Sequence, residues 1–323
     1  MQESNNLKAN ISLALASILI AFFISLNYKV YNSSSKIIEI PRGATTSTIT
    51  ELLYKNSLIL SPNLFKIYSR LTFSDENFKA GEYQFTSFES ISSIIKKLNN
   101  GKFFYRKLTL LPGFTLKDIL ELGDSEGLQN DLRDKPLNSK RNDELFLGEG
   151  SFYPDTYFYL RGDSFSSILL ESQKKWNLLG QKLWNERDKG LPYKSLNEAV
   201  TMASIIEKEG LEKEKIAGVF LNRLRVDMRL QSDPTVIYAL GKNFDGNLKK
   251  EDLRIESPFN TYRYVGLPPA PISIVSKESL VAALKPLQTE YLYFVSMGNG
   301  YHKFSKTLSE HNKAVLKYQI NAR

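Results

Sequence analysis

The chain contains no cysteine and only two histidines, His302 and His311. The first absence excludes a disulfide framework, thiolate zinc sites, iron–sulfur clusters and a cysteine nucleophile. The second argues against a multi-histidine metal site. Charge of one sign is also scarce. The 43 Lys and Arg face 35 Asp and Glu, a net +8 spread along the chain. Such a surplus favours anionic surfaces, but without a basic stripe it does not mark a nucleic-acid protein. No internal repeat is visible. At 323 residues the chain suits one large or two ordinary domains, with a core that needs no covalent staple.

What is present begins at the N-terminus. Ile11–Leu26 is an uncharged run of 16 residues. At the helical rise it spans roughly 24 Å, a little short of a bilayer core of about 30 Å. Asn10 and the stretch to Tyr31 close the gap, and Tyr28 and Tyr31 suit the membrane interface. A buried core helix would show a polar face, and here only scattered serines interrupt the run. Ser33 and Ser35 resemble a signal-peptide cleavage site but lie well past the apolar segment. The reading is an uncleaved transmembrane anchor over residues 10–31, with residues 1–9 as a cytoplasmic tail. Lys8 on one side and Lys29, Lys36 and Arg42 on the other leave the positive-inside rule nearly silent.

Asn32–Ser35 is a polar linker. Beyond it the spacing predicts a strand over Lys36–Pro41, helices over Thr45–Lys55 and Ser61–Leu71, a strand over Gly81–Phe85 and a helix over Phe88–Leu98. This β-α-α-β-α unit carries no catalytic constellation and reads as a binding module. Lys102–Thr109 is an expected strand, Thr115–Glu126 a helix and Asp134–Asn142 an exposed loop. Ser164–Arg187, Leu196–Glu209 and Glu214–Leu224 are expected helices, and Tyr291–Ser296 a strand. The class is α+β.

The chemistry centres on Leu196–Glu209. At about 100° per residue, Leu196, Ala199, Val200, Ala203 and Ile206 share one arc. Glu207 falls near its centre, whereas Glu209 points about 160° away and Gly210 ends the helix. Ile205 lies opposite the arc, so burial on both sides is open. A carboxyl group in a poorly solvated site has a raised pKa and can act as a general acid. The alternative for Glu207 is a structural ion pair with Arg223 or Arg229.

Several ordered blocks resemble one family. They are Ala203–Glu209, Val219–Leu224, Met228–Tyr238, Ser257–Tyr262, Gly266–Pro269, Tyr291–Val295 and Glu310–Asn312, with Glu149–Tyr157 upstream. Together they are similar to the MltG (YceG-like) endolytic murein transglycosylases over nearly the whole chain. One departure is Leu110–Phe114, where the family's Pro-Glu-Gly turn lacks its glutamate.

The resemblance implies a LysM-like β/α module over residues 36–104 and a mixed, mainly helical lysozyme-like catalytic domain over 105–323. It also implies an enzyme of the cytoplasmic (inner) membrane that faces the periplasm or cell wall. Such enzymes cut between N-acetylmuramic acid and N-acetylglucosamine without water and leave a 1,6-anhydro end. The implied catalytic residue is Glu207, with no metal or cofactor. The implied partners are peptidoglycan glycan strands and, in the membrane, peptidoglycan synthases; nucleic acid is not among them.

Gln231, Ser232, Asp233, Asn260 and Tyr262 sit in loops after or before proline and are candidates for binding sugar groups. For Ser232 and Asp233, capping of the following helix is an equal reading. For Asn260 the alternative is fixing a turn. Tyr153 and Tyr157 offer either an aromatic platform or simple packing. Asn222 and Arg223 sit on a helix, where Arg223 reads as a structural partner of a carboxylate; His302 reads as near the cleft, and His311 as a structural hydrogen-bonding residue. Two other functions stay open: a muramidase using Glu207 with Asp233 or another carboxylate, and a non-catalytic peptidoglycan-binding scaffold.

Overall fold

The computed structural model describes residues 2–31, 34–74, 77–133 and 145–320. Asn32 and Ser33 of the linker and the expected loop Asp134–Asn142 lie outside the described residues. The class is mixed α+β. The chain divides into two units, residues 1–106 with 158–162 and residues 107–157 with 163–323.

The first unit opens with helix α1 (Gln2–Asn27). Among the described residues it is the one helix long and apolar enough to cross a membrane, with mean hydropathy 2.2 over Asn6–Asn27. Strand β1 (Val30–Tyr31) follows, then β2 (Lys36–Ile40), α2 (Thr46–Lys55), α3 (Pro62–Leu71), β3 (Gly81–Phe85), β4 (Phe88–Glu89) and α4 (Ile91–Asn100). β2 and β3 pair antiparallel from Lys36↔Phe85 to Ile40↔Gly81, and β1 pairs with β4. Helix starts are set by hydroxyl caps. Thr45, Ser61 and Ser90 each accept a backbone N–H three residues on, and Pro62 occupies the first turn of α3. Gly101, at φ 62°, ends α4 in the left-handed conformation. Ile40, Leu53, Phe65, Tyr83, Phe85, Ile94 and Leu98 form the core. Phe88 and Glu89, expected in the helix, instead make β4, because Ser90 caps α4 one step later.

The second unit includes α5 (Leu116–Glu121), α6 (Phe165–Asn185), α7 (Leu196–Glu209), α8 (Lys213–Arg225), α9 (Asp233–Leu240), α10 (Lys277–Leu284) and α11 (Leu308–Val315). Strand β5 (Arg106–Thr109) pairs with β6 (Thr156–Tyr159), and β7 (Tyr293–Ser296) pairs antiparallel with β8 (His302–Ser305).

Helix α7 is the spine of this unit. Every residue from Ala199 to Ile206 is buried, and α6, α8, α9 and α10 pack on it. Ile205 and Ile206 are both fully covered, each contributing about 1.5–3 kcal/mol. Gly218 of α8 permits close packing: a Cβ there would sit 2.5 Å from the Leu287 carbonyl oxygen.

Candidate active site

A helix buried all round offers only its end to a ligand. The last turn of α7 delivers two carboxylates, and their surroundings differ completely. The Glu207 side chain is 9% exposed and pairs with Lys213 Nζ at 2.7 Å. Ser276 donates to it twice, from the backbone N–H at 2.8 Å and from Oγ at 2.5 Å. Ser276 is the N-cap of α10, so the carboxylate also meets the positive end of a helix. Lys213 is held in turn by Ser276 and Ser279. Burial pushes the Glu207 carboxyl up, but the bonds from Lys213 and Ser276 outweigh it and hold the group below the ordinary carboxylate value.

Glu209 lies at the wall of an open cavity of about 620 Å³, shared with Arg223, Gln231, Asp233, Tyr262, Ser296 and His302. Its carboxylate accepts one side-chain bond, from Ser232 Oγ at 2.5 Å. Burial, with the nearby Asp233 charge adding to it, pushes the Glu209 carboxyl up to about 7. The Ser232 bond and the Arg223 charge oppose the rise without cancelling it.

The expected environment of Glu207 is therefore corrected. The arc that singled it out is one side of a helix covered on every side, so the periodicity carried no information about where the cleft lies. The carboxyl that burial pushes up to about 7 is instead that of Glu209, which the sequence placed on the far side.

The remaining candidates separate in the same way. Gln231, Asp233 and Tyr262 line the cavity. Tyr262 donates its hydroxyl to Asp233 at 2.5 Å. Gln231 sits at φ 49°, a left-handed conformation costly for glutamine, and its N–H is fixed on the Thr261 carbonyl at 3.1 Å. Such strain persists where surrounding contacts impose it. Ser232 precedes α9 but makes no side-chain cap; its hydroxyl is turned to Glu209. Asp233 bonds Tyr262 rather than capping.

Asn260 does not reach the cavity. It is fully buried, donates to the Leu253 and Ile255 carbonyls at 3.1 and 2.9 Å, and accepts from the Tyr262 N–H. It brackets the loop that presents Tyr262. Asn222 bonds the Thr289 and Tyr291 carbonyls. Arg223 donates to the Leu292 and Leu230 carbonyls at 2.7 and 2.6 Å while its charge lies near Glu209. Tyr157 is buried, with its hydroxyl on the Tyr153 carbonyl, and Tyr153 stacks on Trp176, so both pack. Glu149 bridges the Leu116 N–H and the Tyr238 hydroxyl.

His302 and His311 both line the cavity. His311 stacks on Tyr293, and burial, then the Arg223 charge, hold it below the usual imidazole value. The departing turn Leu110–Phe114 has a structural role: Gly113 and Phe114 exchange backbone bonds with Ile274, and Lys208 donates to the Gly113 carbonyl.

No group of three or more metal-ligating side chains occurs among the described residues. The site thus defines a class: a mixed α+β protein with a half-buried carboxyl group, pushed up to about 7, at the wall of a polar cleft.

The comparisons with known proteins give that class a family. The YceG-like family model matches residues 38–317. An endolytic murein transglycosylase of Bacillus subtilis (strain 168) is 37% identical over 306 residues, covering 87% of this chain and 84% of the relative. An endolytic murein transglycosylase of Streptococcus pneumoniae (strain D39) is 28% identical, covering 86% of this chain and 57% of that protein. A crystal structure of a yceG-like protein from Listeria monocytogenes has a TM-score of 0.52 and 34% identity. It covers 88% of this chain and 100% of that one. The chain belongs to the YceG-like family.

Proposed function

We propose that the chain is a membrane-anchored endolytic murein transglycosylase in which Glu209 is the acid and then the base. The murein transglycosylase activity follows from family membership and from relatives of that name matched over most of the chain. The observation that carries the residue assignment is the Glu209 carboxyl, raised to about 7 at the wall of the cleft.

Protonated Glu209 gives its proton to the glycosidic oxygen as the C1–O bond of N-acetylmuramic acid breaks. The leaving strand departs as an alcohol. The substrate's N-acetyl group stabilises the charge at C1, the substrate-assisted exception to the two-carboxylate rule. Glu209, now a carboxylate, takes the proton of the C6 hydroxyl as that oxygen attacks C1. The 1,6-anhydro ring closes, no water is consumed, and the acid is regenerated. A pKa near the working pH suits both halves. Ser232 and Arg223 steady the carboxylate between them. Gln231, Tyr262 and Asp233 supply donors and acceptors for sugar groups.

A hydrolase using Asp233 as second carboxylate is the competing reading, since Asp233 lines the same cavity. Mass spectrometry of fragments from purified murein separates the two. A reducing end is heavier than an anhydro end by one water, about 18 Da. Anhydro ends from wild type and their loss in Glu209→Gln support the transglycosylase; reducing ends as the main product overturn it.

The two-stranded unit of β2, α2, α3 and β3 has the strand–helix–helix–strand order of a LysM-like glycan-binding module, and the helix-rich second unit is read as the lysozyme-like catalytic domain. α1 is read as a single-pass anchor of the cytoplasmic membrane, with residues 1–9 inside. Protease added to intact spheroplasts should then digest both units; protection of both contradicts this topology. Membrane peptidoglycan synthases are the expected protein partners, testable by cross-linking in cells.

A further inference from the structure

We infer that the first unit is seated on the outer face of the bilayer, with the exposed rings of Tyr31 and Phe88 in the headgroup layer. This rests on the reading of α1 as a membrane span. The inference starts from where α1 ends. Leu26 is 3% exposed because it is built into the core of the unit, and Phe22 packs against that core one turn earlier. The contact is with α4. The apolar helix therefore does not emerge into a flexible tether. Tyr28 and Lys29 alone separate it from β1, which is fixed to β4 with Tyr31 opposite Phe88.

Length then decides the depth. A bilayer core of about 30 Å needs about 20 helical residues. The charge-free stretch between Lys8 and Lys29, Ala9–Tyr28, is 20 residues long and has none to spare. A span over that stretch places Phe22–Leu26 in its outermost two turns. The surface of the unit beside that turn must lie at the same level.

Aromatic rings stand there. Tyr28 and Tyr31 are 61% and 67% exposed, and Phe88 is 57% exposed. The rings of Tyr31 and Phe88 meet at 5.2 Å, forming a bare aromatic pair that comes from two sequence-distant elements. Amphipathic rings at headgroup level are favoured at both membrane interfaces. The unit is thereby held upright on the lipid rather than swinging from a linker.

The cysteine-free chain makes the test direct. Single substitutions Phe88→Cys and Tyr31→Cys in the full-length protein carry a nitroxide in vesicles of phosphatidylethanolamine and phosphatidylglycerol. Ile18→Cys is the depth reference. The expected result is that labels at 88 and 31 lose broadening by an aqueous nickel chelate and gain broadening by oxygen, with Ile18 deeper still. Full nickel accessibility at 88 and 31 with Ile18 deep overturns the seating alone. Full accessibility at Ile18 overturns the span and the seating together. Dipolar broadening between labels of neighbouring copies would show the pair covered by a second chain, and also overturns the inference.

Discussion

Glu207 and Glu209 are separated by one residue and meet opposite surroundings. Glu207 is wrapped by donors: an ammonium group, a backbone N–H at a helix start and a serine hydroxyl. Glu209 has one hydroxyl donor, faces the cavity, and lies near the charges of Asp233 and Arg223. Both are half-buried, so burial alone does not make an acid. What separates them is the number of donors that stabilise the charge. The first is a brace joining the end of α7 to α8 and α10. The second is the group that the proposed mechanism uses as proton carrier.

The contrast also sets opposite effects on stability. A carboxyl lowered in the folded state stabilises above its unfolded pKa, and that contribution is lost as pH falls through the folded value. Glu207 follows this rule. A carboxyl raised in the folded state is favourable below its unfolded pKa and loses that advantage as pH rises through the folded value, here about 7.

The largest expected effect separates the two by rate. Glu209→Gln should lower release of anhydro-ended fragments about 10³-fold while the protein stays folded, as expected for removal of a general acid–base. Activity near wild type in that variant breaks the comparison. Next is stability. Glu207→Gln strands Lys213 and should cost about 2–4 kcal/mol at pH 7, with the penalty shrinking below about pH 4.5 in denaturant titrations. Its remaining activity should track the folded fraction.

Glu209→Gln should act the other way. At pH 8 it removes a half-buried charge and should stabilise by at most about 3.5 kcal/mol, the shift from 4.5 to about 7 converted at about 1.4 kcal/mol per unit. At pH 4 the gain should vanish; a pH-independent change would contradict the assignment. Asn260→Ala should cost about 1–3 kcal/mol through the two orphaned carbonyls. The smallest effect concerns Ser232. Wild-type kcat should fall tenfold per pH unit above about 7, since the first step needs the acid form. Ser232→Ala removes a bond that favours the carboxylate, so this limb should move to higher pH.

Much of the fold was legible because its signals are local. Ser61-Pro62 marked the start of α3, and Asn99-Asn100-Gly101 the end of α4. The spacing of Leu196–Glu209 gave α7 its bounds. The site was only partly legible. Gln231, Asp233 and Tyr262, expected in loops, line the cavity; their role toward sugar is part of the proposal. Asn260 has the same chemistry, and only the carbonyls of Leu253 and Ile255 reveal that it is spent on its loop. The choice between Glu207 and Glu209 depended on Lys213 and Ser276 on one side and Ser232 on the other. Ser276 and Ser232 lie 69 and 23 residues away from their glutamates. Helical periodicity holds no record of such partners. Gly210 marked where the helix stops but not which of the preceding carboxylates meets the cleft.

Direct titration of the two side chains tests the account at its centre. With glutamate δ-carbons labelled with ¹³C, Glu207→Gln and Glu209→Gln each delete and so assign one resonance. The account predicts that the Glu209 signal titrates at about 7 and the Glu207 signal below 4.5. A Glu209 carboxyl that titrates in the ordinary range, with Glu207 raised instead, would contradict it.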